Sequence, residues 1–392
     1  MYLLRLTLQN YRNYEALELP MSPGVSLFTG DNAQGKTNLL ESIYLLATTR
    51  TPRSNNDSDL VRWGAAATES PVARIEGHAR RRGGEVAVTI AIGLGHQAGS
   101  ESQKSHTSKR LQVNGIPRRA SDVVGQIAVV LFTAQDIDLL TGPPALRRRY
   151  LDVTISQVNP LYLRSLQRYS RILLQRNSLL RQLQEATARP DQLEFWDQEL
   201  AGEAASILMT RATATSWLAD RAAASHDRLS HGQESLGITY QPQLPPGLTM
   251  AALELSPGDL REQLLFSLKT ARQREIAAGV SLFGPHRDEL LFTVNSASAA
   301  SFGSRAQQRT AALALRLAET AYIEAEAGDQ PVLLLDDILS ELDKQRRQSV
   351  LEALGGVDQI LITATELDEF AAGALAASRR YRSQAGQVRG DA

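Results

Sequence analysis

Gly30-Asp31-Asn32-Ala33-Gln34-Gly35-Lys36-Thr37 and Val332-Leu333-Leu334-Leu335-Asp336-Asp337 decide how this chain is built. The first stretch reads GxxxxGKT, the Walker A phosphate loop. The second is an apolar strand ending in two carboxylates, the form of a Walker B. Lys36 and Asp336 lie 300 positions apart, so a nucleotide site made from both needs the two ends of the chain closed onto each other around a long insertion.

The loop has the context its chemistry requires. Val25–Thr29 reads as a strand leading in, and Asn38–Leu46 has helical apolar spacing leading out. Glycines let backbone N–H groups approach phosphates, and a helix N-terminus favours the anion. Gly30, Asp31, Asn32, Ala33, Gln34, Gly35 and Asn38 are therefore candidate ATP contacts. Lys36 supplies charge to the β- and γ-phosphates, and Thr37 a hydroxyl to Mg²⁺. Asp336 would orient the same Mg²⁺, and Asp337 is placed to polarise the attacking water. The plainer reading of the pair is two acids capping the helix that begins near Glu341.

Composition excludes several classes. Apolar content of 43% and charged content of 22% are those of a water-soluble globular protein. With no Cys there are no disulfides or thiolate metal sites, which fits a reducing compartment. No apolar run reaches membrane-span length, and Met1–Arg5 reads as a strand, so no membrane role and a cytoplasmic location are expected. The net charge of −1 does not announce a nucleic-acid binder, but its distribution is uneven. Arg147–Gln184 holds eight arginines and one acid, a local +7. Lys104, His106, Lys109, Arg110, Arg118 and Arg119 form a second basic cluster. Either is a phosphate-contact surface or a solvated face.

The expected class is α/β, an ATPase head assembled from both chain ends with an inserted helical arm. Residues 1–150 read as a strand-rich lobe with the phosphate loop, 151–280 as the arm, and 281–392 as the closing lobe. Tyr162, Leu166, Tyr169, Leu173, Arg176, Leu180 and Leu183 recur at spacings of 4 and 3, and Leu200, Ala204, Ile207, Arg211, Ala214 and Leu218 repeat the pattern after Pro190. That predicts an antiparallel helical hairpin. A third helix is expected over 258–278, a Pro-rich loop over 241–258, a mobile hairpin tip over 97–108 and a frayed tail over 384–392.

Ser301-Phe302-Gly303-Ser304-Arg305-Ala306-Gln307-Gln308-Arg309 precedes a long helix ahead of Walker B, and Ser340-Glu341-Leu342-Asp343 follows it. These sit where ABC-type ATPases carry their signature and D-loop, and the order, split by an arm, resembles the SMC-like branch. Leu8–Tyr14, Gly142–Asp152 and Gly284–Leu290 extend the resemblance end to end to the RecF family of bacterial recombination-repair proteins. The resemblance implies an ATP-dependent homodimer that binds double-stranded DNA near single-strand gaps. It implies work with RecR and RecO to help RecA load, with slow hydrolysis as a switch. It places Ser304 and Gln307 on a nucleotide held by the other subunit, and Arg12 on nucleotide phosphates, with a weaker claim for Arg53. His286 and Arg287 look functional by the same resemblance, beside a packing role. Arg164, Arg168 and Arg171 share one helix face and are the candidate DNA contacts. Three departures stand out. Ala306 replaces the family's Gly, which would tighten the signature loop. Ala134-Gln135 replaces Pro-Glu, with Gln135 a candidate catalytic ligand to Mg²⁺ or water. Thr363 or Thr365 stands where ABC transporters have a switch His.

Three other readings compete. Another short-armed SMC-like ATPase of DNA maintenance or defence would carry an attached nuclease, and no acid-rich block after Asp343 suggests one. A small-molecule P-loop kinase needs an acceptor pocket and lid, against which stand the signature serine and the inserted hairpin. A transporter subunit is disfavoured by the distant motifs and the missing His.

Overall fold

The computed structural model describes residues 1–54, 56–67, 71–95, 106–365 and 377–390. Two compact units emerge, one of residues 1–136 with 316–392, the other of residues 137–315. These bounds differ from the expected 150/151 and 280/281. The stretches 137–150 and 281–315 fall in the same unit as the arm: the strand after Gly284-Pro285-His286-Arg287-Asp288 pairs with a strand that follows the arm helices, and Arg147 pairs with Glu289 of that strand.

The first unit begins with β1 (Tyr2–Tyr11), β2 (Tyr14–Pro20), β3 (Gly24–Thr29) and α1 (Lys36–Thr48). It continues with β4 (Val72–Arg81), β5 (Gly84–Gly95), β6 (His106–Val113), β7 (Ile116–Pro117), α2 (Ala120–Val123) and β8 (Val129–Thr133). An antiparallel six-stranded sheet runs β2-β1-β4-β5-β6-β7. Alternation in β1 buries Leu6 and Leu8 but also Leu3, an odd step from Leu6. A register shift between Leu3 and Arg5 accounts for it. Leu4 is the extra residue, while Leu3 stays opposite Ala79 and its backbone bonds Gln359, the N–H reaching Oε1 at 2.7 Å and the carbonyl receiving Nε2 at 3.0 Å. Gly77 in β4 keeps α1 close, since a Cβ there would lie 2.6 Å from Leu46 Cδ1. The expected tip at 97–108 and Lys104 lie largely outside the described residues.

The second unit holds α3 (Asp138–Thr141), α4 (Pro144–Ser156), α5 (Pro160–Gln184), α6 (Leu193–Leu229), β9 (Leu236–Gln241), α7 (Pro257–Ala278), β10 (Glu289–Val294), β11 (Ala297–Ser298) and α8 (Ala299–Phe302). The heptad positions Tyr162, Tyr169, Arg176, Leu180 and Leu183 are buried in α5, joined by Ile172 and Leu179. Both seam arginines are fully paired. Arg176 donates to Asp197 at 2.9 Å, Glu275 at 2.6 Å and Ser281 Oγ at 2.7 Å. Arg211 donates to Asp288 at 2.7 Å, Asp152 at 2.8 Å, Tyr162 Oη at 3.0 Å and the Pro285 carbonyl at 2.7 Å. Asp288 also accepts from Tyr240 and from the Gln243 N–H. The motif around His286 thus packs the root of the arm helices. His286 Nδ1 lies 2.6 Å from Tyr169 Oη, and burial lowers its pKa from 6.5 to about 4.

The chain then runs through α9 (Arg305–Ala327), β12 (Val332–Asp336), α10 (Lys344–Ala353), β13 (Gln359–Ala364), β14 (Arg379–Gln384) and β15 (Gln387–Gly390). The last two contradict the expected fray over 384–392 as far as Gly390, and 391–392 lie outside the described residues. They form an antiparallel hairpin joined through β14, parallel to β3. A polar, Arg-rich stretch lacks an apolar run to read as a strand, and its pairing comes from the sheet it joins. The second sheet of the first unit runs β15-β14-β3-β13-β12-β8. Residues Val332–Leu335 and Gln359–Ala364 are buried throughout, as in a parallel sheet covered on both faces.

Candidate nucleotide site

Strand order builds the site. In the first unit the Walker A strand β3 neighbours β13, and β13 neighbours the Walker B strand β12. Register sets Thr363 beside Asp336 and Ala364 beside Thr29, and Thr133 at the end of β8 beside Asp336. The carboxyl ends of four parallel strands therefore line up, the place where open α/β sheets bind ligands.

The phosphate loop turns through left-handed backbone at Ala33 (φ 65°) and Gly35 (φ 107°), the kind of loop that turns N–H groups inward. Gly30 is required sterically as well as conformationally: a Cβ would fall 2.3 Å from the Ser383 carbonyl. The Lys36 ammonium lies inside the loop, donating to the Gly30 carbonyl and, at 2.8 Å, to that of Asp31. Burial lowers its pKa, opposed by the charges of Asp337, Asp336 and Asp31. Thr37 Oγ1 donates to Asp336 Oδ1 at 3.0 Å, closing the two motifs across the chain.

Thr363 completes this junction. Its hydroxyl lies 2.8 Å from Asp336 Oδ1 and accepts the Asp337 N–H at 3.0 Å. Burial raises the Asp336 pKa, countered by the hydroxyls of Thr363 and Thr37. Asp337 sits in the left-handed region at φ 53°, and Ser340 Oγ bonds both its carbonyl and its carboxylate. Thr37 and Asp336 offer a hydroxyl and one carboxylate, hard oxygen donors that suit Mg²⁺. Among the described residues no group of three acids or histidines is placed to hold a metal. Mg²⁺ at a phosphate loop needs none, since waters and phosphate oxygens fill the remaining positions.

The other sequence candidates divide. Arg12 forks onto the buried Glu41 at 2.9 and 2.8 Å and donates to the Asp59 carbonyl at 2.9 Å, leaving two of its five N–H groups. Arg53 donates to Asn38 Oδ1 at 3.3 Å, and Asn38 to Asn13 Oδ1 at 2.9 Å. Gln135 is exposed, two residues past the strand end that registers with Asp336. Gln34 faces the β14–β15 hairpin, its Oε1 accepting the Ala385 N–H at 2.6 Å.

Sequence reading missed three supports. Asn13 Nδ2 donates to the Gln34 carbonyl at 3.2 Å, and Ser383 Oγ to the same carbonyl at 3.2 Å. Asp136 accepts the Thr133 N–H at 2.9 Å and pairs with Arg316 at 2.7 Å, bracing the Gln135 turn. The T-x-x-D spacing of Thr133 and Asp136, half of a capping box, was a readable signal.

In the second unit, Ser304 and Gln307 form a reciprocal cap on α9. The Ser304 N–H donates to Gln307 Oε1 at 2.8 Å, and the Gln307 N–H to Ser304 Oγ at 3.2 Å. Ser304 stays exposed, and its hydroxyl proton is not used in that cap. Ala306 lies in the first turn of α9, without positive φ, so it does not tighten the loop. On the arm, Arg164, Arg168 and Arg171 are all exposed. Arg168 is tied to Glu203 at 3.0 Å and Glu199 at 3.3 Å. Arg147 is buried against Glu289, and with Arg176 internal the arm face is less basic than its arginine count.

The family model described as RecF/RecN/SMC N terminal domain matches residues 2–384. A DNA replication and repair protein RecF of Chloroflexus aurantiacus is 44% identical, covering 99% of each chain. That of Enterococcus faecalis is 40% identical, over 94% of this chain and 93% of its own. A solved structure of the recombination mediator protein RecF-ATP in the RecFOR pathway superposes with a TM-score of 0.84 at 30% identity, over 100% of this chain and 98% of that one. An SMC head bound to a ScpA winged-helix domain shares the fold alone, at TM-score 0.53 and 13% identity over 100% of this chain and 98% of that one. The architecture is that of an ABC-type, SMC-like ATPase head.

Proposed function

Because the chain belongs to the RecF family of DNA replication and repair proteins, we propose that it is an ATP-driven DNA-binding switch. ATP with Mg²⁺ occupies the phosphate loop and draws two copies together, each supplying Ser304 and Gln307 to the nucleotide of the other. A ligand shifts an equilibrium only by its differential affinity for the two states, and here the dimer alone completes the site. The dimer binds double-stranded DNA near single-strand gaps, and with RecR and RecO promotes RecA loading in the cytoplasm. Slow hydrolysis, with Asp337 and Gln135 addressing the water, releases it. Arg164, Arg168 and Arg171 are candidate backbone contacts.

The observation that carries this reading is the Asp336 junction. One carboxylate oxygen receives hydroxyls from Thr37 of the phosphate loop and Thr363 of the adjoining strand, which supports a shared triphosphate and metal site there. The test is sedimentation of the full chain with and without ATP, and with gapped DNA. Monomer without nucleotide and dimer with ATP and Mg²⁺ is expected. No ATP dependence at micromolar protein would reject the switch.

A further inference from the structure

The β14–β15 hairpin carries Arg379, Arg380, Arg382 and Arg389, with no acid from Ala377 to Gly390. Strand alternation sorts them. Tyr381 stacks on Phe28, ring centroids 4.9 Å apart, and Ser383 is buried, so Arg380 and Arg382 point to the opposite face. Arg382 and Arg389 are direct cross-strand partners, and both are exposed. Like charges placed opposite each other on a sheet are destabilising. Among the described residues neither Arg380 nor Arg382 has a carboxylate partner, and Arg389 donates to Gln387 at 3.1 Å. The acids of β2 are already engaged, Glu15 with Arg62 and Glu18 with Arg5. One charge would suffice to keep an edge strand from pairing with another chain. Three on one face, two of them opposed, fit a ligand that neutralises several positive charges spaced along a line.

We propose that Arg380, Arg382 and Arg389 form a contact surface for the phosphate backbone of duplex DNA, joined mechanically to the nucleotide loop. The proposal rests on the DNA-binding reading above. The joint is short. β14 lies beside β3 with Arg382 level with Thr29, the residue before Gly30. Past it, Ser383 bonds the Gln34 carbonyl and Ala385 bonds the Gln34 side chain. A displacement of the phosphate loop therefore moves the backbone that carries these arginines, and phosphates seated on them bear back on the loop.

The test compares the full chain with Arg382→Ala/Arg389→Ala, and with the same pair changed to Lys. Three quantities are read: binding of a fluorescent ATP analogue, thermal stability, and anisotropy of a labelled duplex titrated across salt with ATP and Mg²⁺. The alanine pair is expected to keep ATP binding and to match or exceed the parent's stability, since a repulsion is removed. DNA affinity should fall evenly across sequences, and the salt slope should shrink by about 2 for two lost phosphate contacts. The lysine pair should restore the slope. Unchanged DNA affinity and slope, in an alanine pair that binds ATP, overturns the surface while leaving the DNA-binding function standing. Loss of ATP binding at unchanged stability also overturns it, by placing Arg382 at the nucleotide. A parent that binds no DNA in any nucleotide state defeats the functional reading and the surface with it.

Discussion

Thr363→Val tests the junction on which the site depends. Valine keeps the shape and β-branching of threonine but removes the hydroxyl. Asp336 then loses one of its two hydroxyl donors, at 2.8 Å, and keeps Thr37 at 3.0 Å. A hydrogen bond to a charged group contributes about 1.5–3 kcal/mol. The Asp337 N–H loses its acceptor too, but that residue is half-buried, so water offsets part of the loss. A stability loss of about 2 kcal/mol is expected, read by chemical denaturation as a lower midpoint at unchanged slope. The sign with pH follows. Burial already raises the Asp336 pKa, and losing Thr363 raises it further. Protonation relieves the unmet charge, so the deficit should be largest above the raised pKa and shrink as pH falls through it. Hydrolysis should suffer more than stability, because Asp337 is held in a left-handed conformation by this contact and by Ser340. A misplacement of about 1 Å costs on the order of 10² in rate. Single-turnover hydrolysis measures it, with Thr363→Ser as the conservative control and Thr365→Val as the competing switch position. Normal stability and turnover in Thr363→Val would refute the reasoning, and a defect confined to Thr365→Val would move the switch there.

Lys36→Met should lose charge-assisted phosphate contacts and with them both ATP binding and dimerisation, whereas Asp337→Asn should bind and dimerise while hydrolysis drops by roughly 10²–10⁴. Equilibrium nucleotide binding and phosphate release separate the two. Gly386→Ala places a Cβ 2.3 Å from the Asn13 carbonyl at a residue with φ 74°, so the hairpin must shift, at more than about 1 kcal/mol. Weaker binding of a fluorescent ATP analogue would report that shift at the phosphate loop. His286 is held neutral, with its pKa near 4 when folded against an ordinary 6.5. Its contribution is present in full above pH 6.5 and is lost as pH falls toward 4, by up to about 3 kcal/mol. Denaturation midpoints across that window, flattened in His286→Gln, check it.

Much of the head was legible from local chemistry. A phosphate loop is a contiguous piece of backbone with a Lys and a Thr at fixed offsets, and an apolar run ending in acids reads as a buried strand whatever surrounds it. The arm was legible for the same reason: helical periodicity is a local property, and Arg176 and Arg211 sat in phase with the seam. Their partners were not legible, because Asp197, Glu275, Asp152 and Asp288 come from other helices and turns that only packing brings near. The order of strands was likewise beyond the chain's reading. That β13 lies between the two motif strands, and so delivers Thr363 to Asp336, is settled by which apolar strands pair when the sheet forms. The β14–β15 hairpin is the sharpest case. Its polar, Arg-rich composition offers only Tyr381 and Val388 as strand formers, yet β3 leaves an edge whose backbone groups need partners. Hydrogen bonding along that edge, with Tyr381 stacked on Phe28 of β3, puts the hairpin against the phosphate loop.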